Sequence, residues 1–216
     1  MTQNADVIAR EDLCRFLSAC FYEPSAALAE ERVFDSMLAA ATAIHPDLAG
    51  HARKLGEAFA AQDLQALLVD YTRLFLGPIQ ALALPYESAW REGGEASGAD
   101  PTAAVLELYE RGGFDIGEDF DDLPDHVAVE LEFLYLLLFK QRKALESGNL
   151  DEQASARVQL QQFLGEHLGA WIGAFTDAVK EHAETSFYRE LAALTERFVG
   201  LESDHHRTTA KRNVMA

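Results

Sequence analysis

With 216 residues, of which 49% are hydrophobic, the chain can bury a sizeable core and needs neither disulfides nor a metal to fold. It carries 36 acidic against 18 basic side chains, a formal net charge of -18. This negative field repels phosphate backbones and anionic lipid heads, so nucleic acid and bare membrane are excluded as expected partners. A cationic peptide, in contrast, would be attracted.

The chain is predicted to be a cytoplasmic protein. Residues 1–12 lack the apolar stretch of a signal peptide, and the longest apolar run, residues 133–139, is too short to cross a bilayer, so no stable membrane insertion is expected. The two cysteines, Cys14 and Cys20, have a spacing that fits no zinc or redox motif. They are interpreted as small core residues in a reducing compartment.

Apolar residues recur at helical spacing almost everywhere along the chain, and no stretch alternates apolar and polar residues as a strand does, which predicts an all-α protein. A first helix ends before Pro24, and a later one covers residues 63–76, where Gly77 and Pro78 end it. Residues 77–100 are too long and too rich in proline and glycine for a simple connector, which is typical of a functional loop. A helix from Pro101 to about residue 111 completes a predicted N-terminal lobe, residues 1–111.

The C-terminal half begins with an acidic, glycine-containing hinge at residues 112–123. The strongest helix of the chain is predicted from residue 125 to about 146, with apolar residues around its whole circumference, so it should run through the middle of the fold. Three more helices fit residues 151–167, 168–182 and 186–201. The fold predicted is therefore a bundle of about nine or ten helices in two closely packed lobes, 1–111 and 124–201, with a disordered tail at 202–216.

The first segment whose residues could bind a ligand joins a helix end to the proline-containing loop. Aromatic rings beside a carboxylate suit the recognition of an arginine or an amphipathic peptide. The alternative is that Pro85 and Trp90 only close the side of a bundle. The loop of this segment carries Tyr86, Glu87, Ser88 and Trp90 as the candidate residues.

The second segment opens the long helix. His126 and Glu130 are four residues apart and are expected to meet on one helical face, while Asp125 lies where the helix dipole favours an anion. A metal site would need a third ligand, and none is found at ligand spacing, so no cofactor is expected. A further hypothesis is that His126, held by a carboxylate, acts as a general base, but no nucleophile motif accompanies it. A hydrogen bond that holds the loop against the helix is favoured.

Together the two segments resemble the signature of the TorD/DmsD family of redox-enzyme maturation chaperones. Phe163, His167, Trp171, Phe187 and Tyr188 resemble the C-terminal pattern of that family. The residues that carry the main resemblance are Tyr71, Leu74, Phe75, Gly77, Pro78, Pro85, Ser88 and Trp90, and then Pro124, Asp125, His126, Glu130, Leu131, Phe133 and Leu134. One departure concerns the loop, because Tyr86 and Glu87 stand where relatives often carry a second proline.

The resemblance implies a non-enzymatic chaperone that binds the twin-arginine leader or the core of a molybdopterin-containing catalytic subunit until its cofactor is inserted. It implies that peptide contacts come from Leu74, Phe75, Pro85, Ser88, Trp90, Asp125 and His126, supported by Glu130. The loop is then expected to lie against the start of the long helix. A hinge of this length is compatible with a monomer or a domain-swapped dimer.

Two other functions stay open at this point. One is a small metal-dependent or acid-base enzyme that uses His126 and Glu130. The other is an assembly factor of the nitrate reductase type, which binds a subunit without an exported leader.

Overall fold

In the computed structural model, the helices begin and end where caps and breakers in the sequence allow. The structure describes residues 2–77, 80–91, 100–114, 117 and 122–214, with side chains from residue 5 to 207. Within these ranges the elements other than α-helices are one π-helical turn, one 3-10 turn and one isolated β-bridge. The α-helices are α1 (Thr2–Cys20), α2 (Ala27–Glu30), α3 (Val33–Ile44), α4 (Pro46–Ala61), α5 (Leu64–Tyr71), α6 (Pro101–Gly112), α7 (Val127–Ser147), α8 (Leu150–Glu166), α9 (Leu168–His182) and α10 (Ser186–Val214). The prediction of an all-helical fold is confirmed.

Polar side chains cap five of the described helices. His45, Asp63, Asp100, His126 and Asn149 each accept hydrogen bonds from backbone N–H groups in the first turn of the helix that follows. At Asp100 the cap is followed by Pro101 in the first helical position, as predicted. α7 begins at Val127, two residues later than predicted, so Asp125 and His126 precede the helix.

The chain leaves α5 through a π-helical turn, Thr72–Leu76, that carries Leu74 and Phe75. Gly77 ends this turn with a φ of 57°, and a Cβ at this position would lie 2.3 Å from the backbone nitrogen of Ala81. Only glycine combines this conformation with so close an approach. The chain therefore reverses here, and Ala83 N donates to Leu74 O at 2.8 Å. Pro78, predicted to help end the helix, lies outside the described residues.

The two halves of the chain share one hydrophobic core. α3 packs against α1 and α4 in the first half, and α8 and α9 join α7 to α10 in the second, so the halves meet along two seams, α1 on α7 and α4 on α10. α7 lies between α1 and α8, and its residues 127–131 are all buried, as predicted for a central helix, whereas residues 145–147 at its other end are exposed. The aromatic residues Phe21, Phe75 and Phe175 meet in the core with ring centroids about 6 Å apart. Half of the predicted hinge, residues 115–116 and 118–121, lies outside the described part of the chain.

Residues 202–214 do not form the disordered tail that was predicted. α10 continues to Val214, and Glu202 and His206 are both buried. Arg10 of α1 donates to Glu202 Oε1 at 2.8 Å, so a charged residue from the other end of the chain compensates for this polar stretch. Cys14 and Cys20 are buried free thiols, as expected. Among the described helices, none is both long and apolar enough to span a membrane.

Candidate functional site

The proline-containing loop lies directly on the start of α7. Val127 N donates to Pro85 O at 2.8 Å, and Glu87 N donates to Asp125 O at 2.9 Å, so Tyr86 and His126 form an antiparallel bridge. The loop thereby satisfies a backbone N–H at a helix N-terminus that no residue of the helix can pair with. The predicted contact between the two segments is confirmed.

The side chain of Asp125 also holds the loop against the start of α7. Its side chain is fully buried, and Oδ2 accepts a hydrogen bond from Ser88 N at 3.0 Å. Oδ1 is buried without a hydrogen-bond partner among the described residues. A buried carboxylate of this kind fixes the position of the loop backbone that bonds to it. Asp125 consequently determines where Ser88, which is exposed, stands on the surface.

His126 is held between two tyrosines. Its Nδ1 accepts from Ala128 N at 3.1 Å, and the rings of Tyr22 and Tyr86 lie 6.1 and 5.2 Å from the imidazole. Burial lowers the pKa of His126, and the charges of Asp122 and Asp125 oppose this change in part. In the neutral ring the proton is therefore on Nε2, which lies 4.0 Å from Asp122 Oδ2.

The expected pairing of His126 with Glu130 is not formed. His126 is an N-cap whose ring turns toward the backbone of its own helix. Glu130 instead accepts from Trp171 Nε1 at 3.1 Å. The spacing of four residues places side chains side by side only when both lie within the helix, and His126 does not.

Glu87 is the centre of a polar group that is buried except for Arg91, called here the loop cluster: Glu87, Arg91, Glu130, His167 and Trp171. Glu87 is fully buried, with Oε1 2.7 Å from Arg91 Nη1 and Oε2 2.9 Å from His167 Nδ1. Glu130 is also fully buried, and its burial and the charge of Glu87 raise its pKa well above the ordinary value. Glu130 Oε2 accepts from Trp171 Nε1, and Glu130 Oε1 has no hydrogen-bond partner among the described residues. The loop cluster thus joins the loop to α7 and α9.

Other predicted site residues divide into buried and accessible ones. Leu74 and Phe75 belong to the core, and Pro85 is buried. The accessible or half-buried side chains around His126 form what we call the loop surface: Tyr22, Leu84, Tyr86, Ser88, Trp90 and Leu123. Two hydrogen bonds order it, from Tyr86 OH to Asp122 at 3.1 Å and from Trp90 Nε1 to Leu84 O at 2.6 Å.

Reasoning from the two segments alone did not assign Tyr22, Arg91, Asp122, His167 or Trp171 to the site. The sequence did point to His167 and Trp171, because they belong to the C-terminal pattern that resembles the chaperone family. No sequence pattern pointed to Tyr22 or Arg91. In the described part of the chain, no group of three or more histidine, cysteine, aspartate or glutamate side chains is arranged to hold a metal ion.

Comparison with known proteins gives one matching family. The model of the nitrate reductase delta subunit family matches residues 41–177. The chain is 26% identical over 177 residues to the chaperone protein TorD of Vibrio vulnificus strain YJ016, covering 82% of this chain and 81% of the relative. It is 26% identical over 203 residues to TorD of Vibrio cholerae serotype O1 strain M66-2, covering 92% and 84%. A crystal structure assigned to a redox enzyme maturation protein from Archaeoglobus fulgidus aligns with a TM-score of 0.52 at 23% identity, covering 88% of this chain and 93% of that one, which shows the same fold.

Proposed function

Because the chain belongs to the nitrate reductase delta subunit family, we propose that it is a molybdoenzyme maturation chaperone which binds the precursor of a catalytic subunit. The client is held through its twin-arginine leader, its core or both until the molybdenum cofactor is inserted, and is then released for export or assembly. These steps take place in the cytoplasm, and the chaperone itself catalyses no reaction. Family membership and the TorD relatives support the role of a molybdoenzyme maturation chaperone.

The observation that carries the proposal is the loop surface, built on the backbone contact between the loop and α7. Leu84 is 41% exposed and Leu123 49% exposed, although each has an apolar side chain. Beside Tyr22, a cavity of about 370 Å³ opens between α1 and α7, with Ala19 and Leu136 in its lining. An apolar surface that continues into a groove suits the apolar segment of a leader.

Charge gives this surface a preference for cationic clients. Asp122 and Glu132 lie at its edge, where Tyr86 OH and Tyr22 OH donate to them, and the whole chain has a net charge of -18. A negative field of this size accelerates the encounter with a basic leader, while the apolar contacts supply most of the affinity.

The site residues take two roles in this proposal. Ser88 and Trp90 meet the client, together with Tyr86 and Leu84. Residues that lie below the surface hold it in place: Leu74, Phe75, Pro85, Glu87, Asp125, His126 and Glu130.

The proposal is tested by titrating a labelled twin-arginine leader peptide against the wild type, Leu84→Ser and Leu150→Ser. Leu150 is a matched control because it is an exposed leucine, 76% accessible, at the start of α8. Loss of one apolar contact at Leu84 should weaken binding about tenfold, and Leu150→Ser should leave it unchanged. Equal affinity of all three proteins would contradict the proposed surface. Binding of a leaderless subunit but not of the peptide would favour an assembly factor of the nitrate reductase type.

A further inference from the structure

Arg91 fills a site made for a guanidinium group. Its Nη1 donates to Glu87 Oε1 at 2.7 Å and to Glu166 O at 2.6 Å. Glu166 is the last residue of α8, so its carbonyl is one of those that no residue of the helix can pair with. The negative end of the helix dipole and a carboxylate thus meet at one point.

The anionic side of this site is preorganised. Glu87 is fully buried, and its second oxygen is held by His167 Nδ1 at 2.9 Å. Its backbone N–H bonds to Asp125 O at 2.9 Å, which fixes where the side chain starts. Without a cation, Glu87 would be a buried charge with an open oxygen, a costly arrangement.

The side chain of Arg91, the cation of this site, is not held in place as Glu87 is. The side chain of Arg91 is 40% exposed, whereas that of Glu87 is inaccessible. Arg91 can therefore turn its charged end into water without moving the loop backbone. The site would then be open from the surface next to Trp90.

We propose that Arg91 is an internal placeholder for an arginine of the client's leader, which displaces it and binds Glu87 and the Glu166 carbonyl in its place. This inference rests on the proposed function and assigns a subsite to it. A tethered side chain competes at a high effective concentration, so a free cation alone displaces it poorly. A leader that also contacts the loop surface has the additional affinity that is needed.

The site prefers arginine to lysine. One guanidinium nitrogen carries two N–H groups in a plane, which matches two acceptors on different elements, and the group is weakly hydrated. An ammonium group is a strongly hydrated point charge and loses more when it leaves water. The subsite consequently distinguishes a twin-arginine leader from a twin-lysine one.

The first experiment tests the guanidinium site without any client. Thermal unfolding of Arg91→Ala is measured with millimolar methylguanidinium or methylammonium, beside Arg53→Ala, a matched exposed arginine on α4, and Arg91→Ala/Glu87→Gln. Methylguanidinium should raise the Tm of Arg91→Ala saturably, and methylammonium should not. No rise in the Tm of Arg91→Ala, or an equal rise in Arg53→Ala or in Arg91→Ala/Glu87→Gln, would overturn the inference.

The second experiment tests the occupant. The twin-arginine leader peptide should bind Arg91→Ala about tenfold more tightly than the wild type, while a twin-lysine peptide gains nothing. If Arg91→Ala does not fold, Arg91→Lys takes its place and should show an intermediate gain. Equal gains for both peptides, or no gain for either, would overturn the placeholder role. A leader that binds neither protein would contradict the proposed function, and rescue by methylguanidinium would still identify the guanidinium site.

Discussion

Two of the largely buried polar groups among the described residues differ in how their side chains are hydrogen-bonded. In the loop cluster, both oxygens of the central Glu87 have donors, and Glu130 Oε1 is the buried atom of the cluster without a hydrogen-bond partner among the described residues. In the terminal cluster, which we define as Arg10, Glu202 and His206, Glu202 Oε2 and His206 Nε2 lie 3.8 Å apart, each without a hydrogen-bond partner among the described residues. Arg10 bonds to the other oxygen of Glu202.

The difference shows what each cluster does. Burial raises the pKa of Glu202 to about 7, so this group changes its charge near neutral pH. Burial also lowers the pKa of His206 to about 3, so this ring stays neutral. The terminal cluster joins the two ends of the chain and tolerates incomplete pairing. The loop cluster supports a proposed binding surface, where the position of each group matters.

The largest effect is expected from Glu87→Ala. The change leaves His167 without its buried acceptor and removes the partner of Arg91, so it should lower the free energy of unfolding by about 3 to 5 kcal/mol. Glu57→Ala, at an exposed position of α4, should change it by less than about 0.5 kcal/mol. Urea unfolding measures both. A loss of similar size in the two variants would mean that the loop cluster contributes nothing particular.

The pH dependence of Glu202 gives the next effect. The pKa of Glu202 is about 7 in the folded state, whereas the usual value of 4.5 applies in the unfolded chain. The folded chain therefore binds the proton more tightly. Its stabilising contribution is thus fully present below pH 4.5 and is lost as the pH rises through 7. Glu202→Gln, which cannot ionise, should become more stable than the wild type by up to about 3 kcal/mol between pH 5 and pH 8.

Comparing the free energies of unfolding of wild type and Glu202→Gln over this range isolates the group. Contributions from Glu130 are present in both proteins and cancel. If the free energies of unfolding of the two proteins changed in parallel with pH, Glu202 would titrate as an exposed glutamate does. That result would contradict its burial in the terminal cluster.

The smallest effect is a contrast between two histidines. His167→Leu removes a donor to Glu87 inside the loop cluster and should cost about 2 kcal/mol. His206→Leu replaces a neutral ring whose Nε2 makes no described hydrogen bond, and should cost less than about 1 kcal/mol. Thermal or urea unfolding separates the two. The reverse order would invert the roles that we assign to the clusters.

The sequence predicted the part of the site that depends on local chemistry. Proline, glycine and cap residues mark the loop and the start of α7, and the resemblance to a chaperone family placed them in contact, as the Tyr86–His126 bridge confirms. It did not predict which side chains point inward. Glu87 is enclosed by His167, and this residue is 80 positions away along the chain.

The errors have the same origin. Residues 202–214 are polar, which is typical of a disordered tail, but Arg10 meets Glu202 from 192 positions away and supplies the partner that the local sequence lacks. His126 and Glu130 have helical spacing, yet the N-cap turns one side chain away from the other. Tertiary partners and cap geometry overrule local patterns in both cases.

The central claim is that the loop resting on the start of α7 is the client-binding surface. Hydrogen exchange of the backbone, measured with and without a saturating twin-arginine leader peptide, tests it most directly. The peptide should protect residues 80–91 and 122–127, and leave the exchange of α4 and of the contact between α4 and α10 unchanged. Protection on α4 and α10, with none in the loop, would contradict the account.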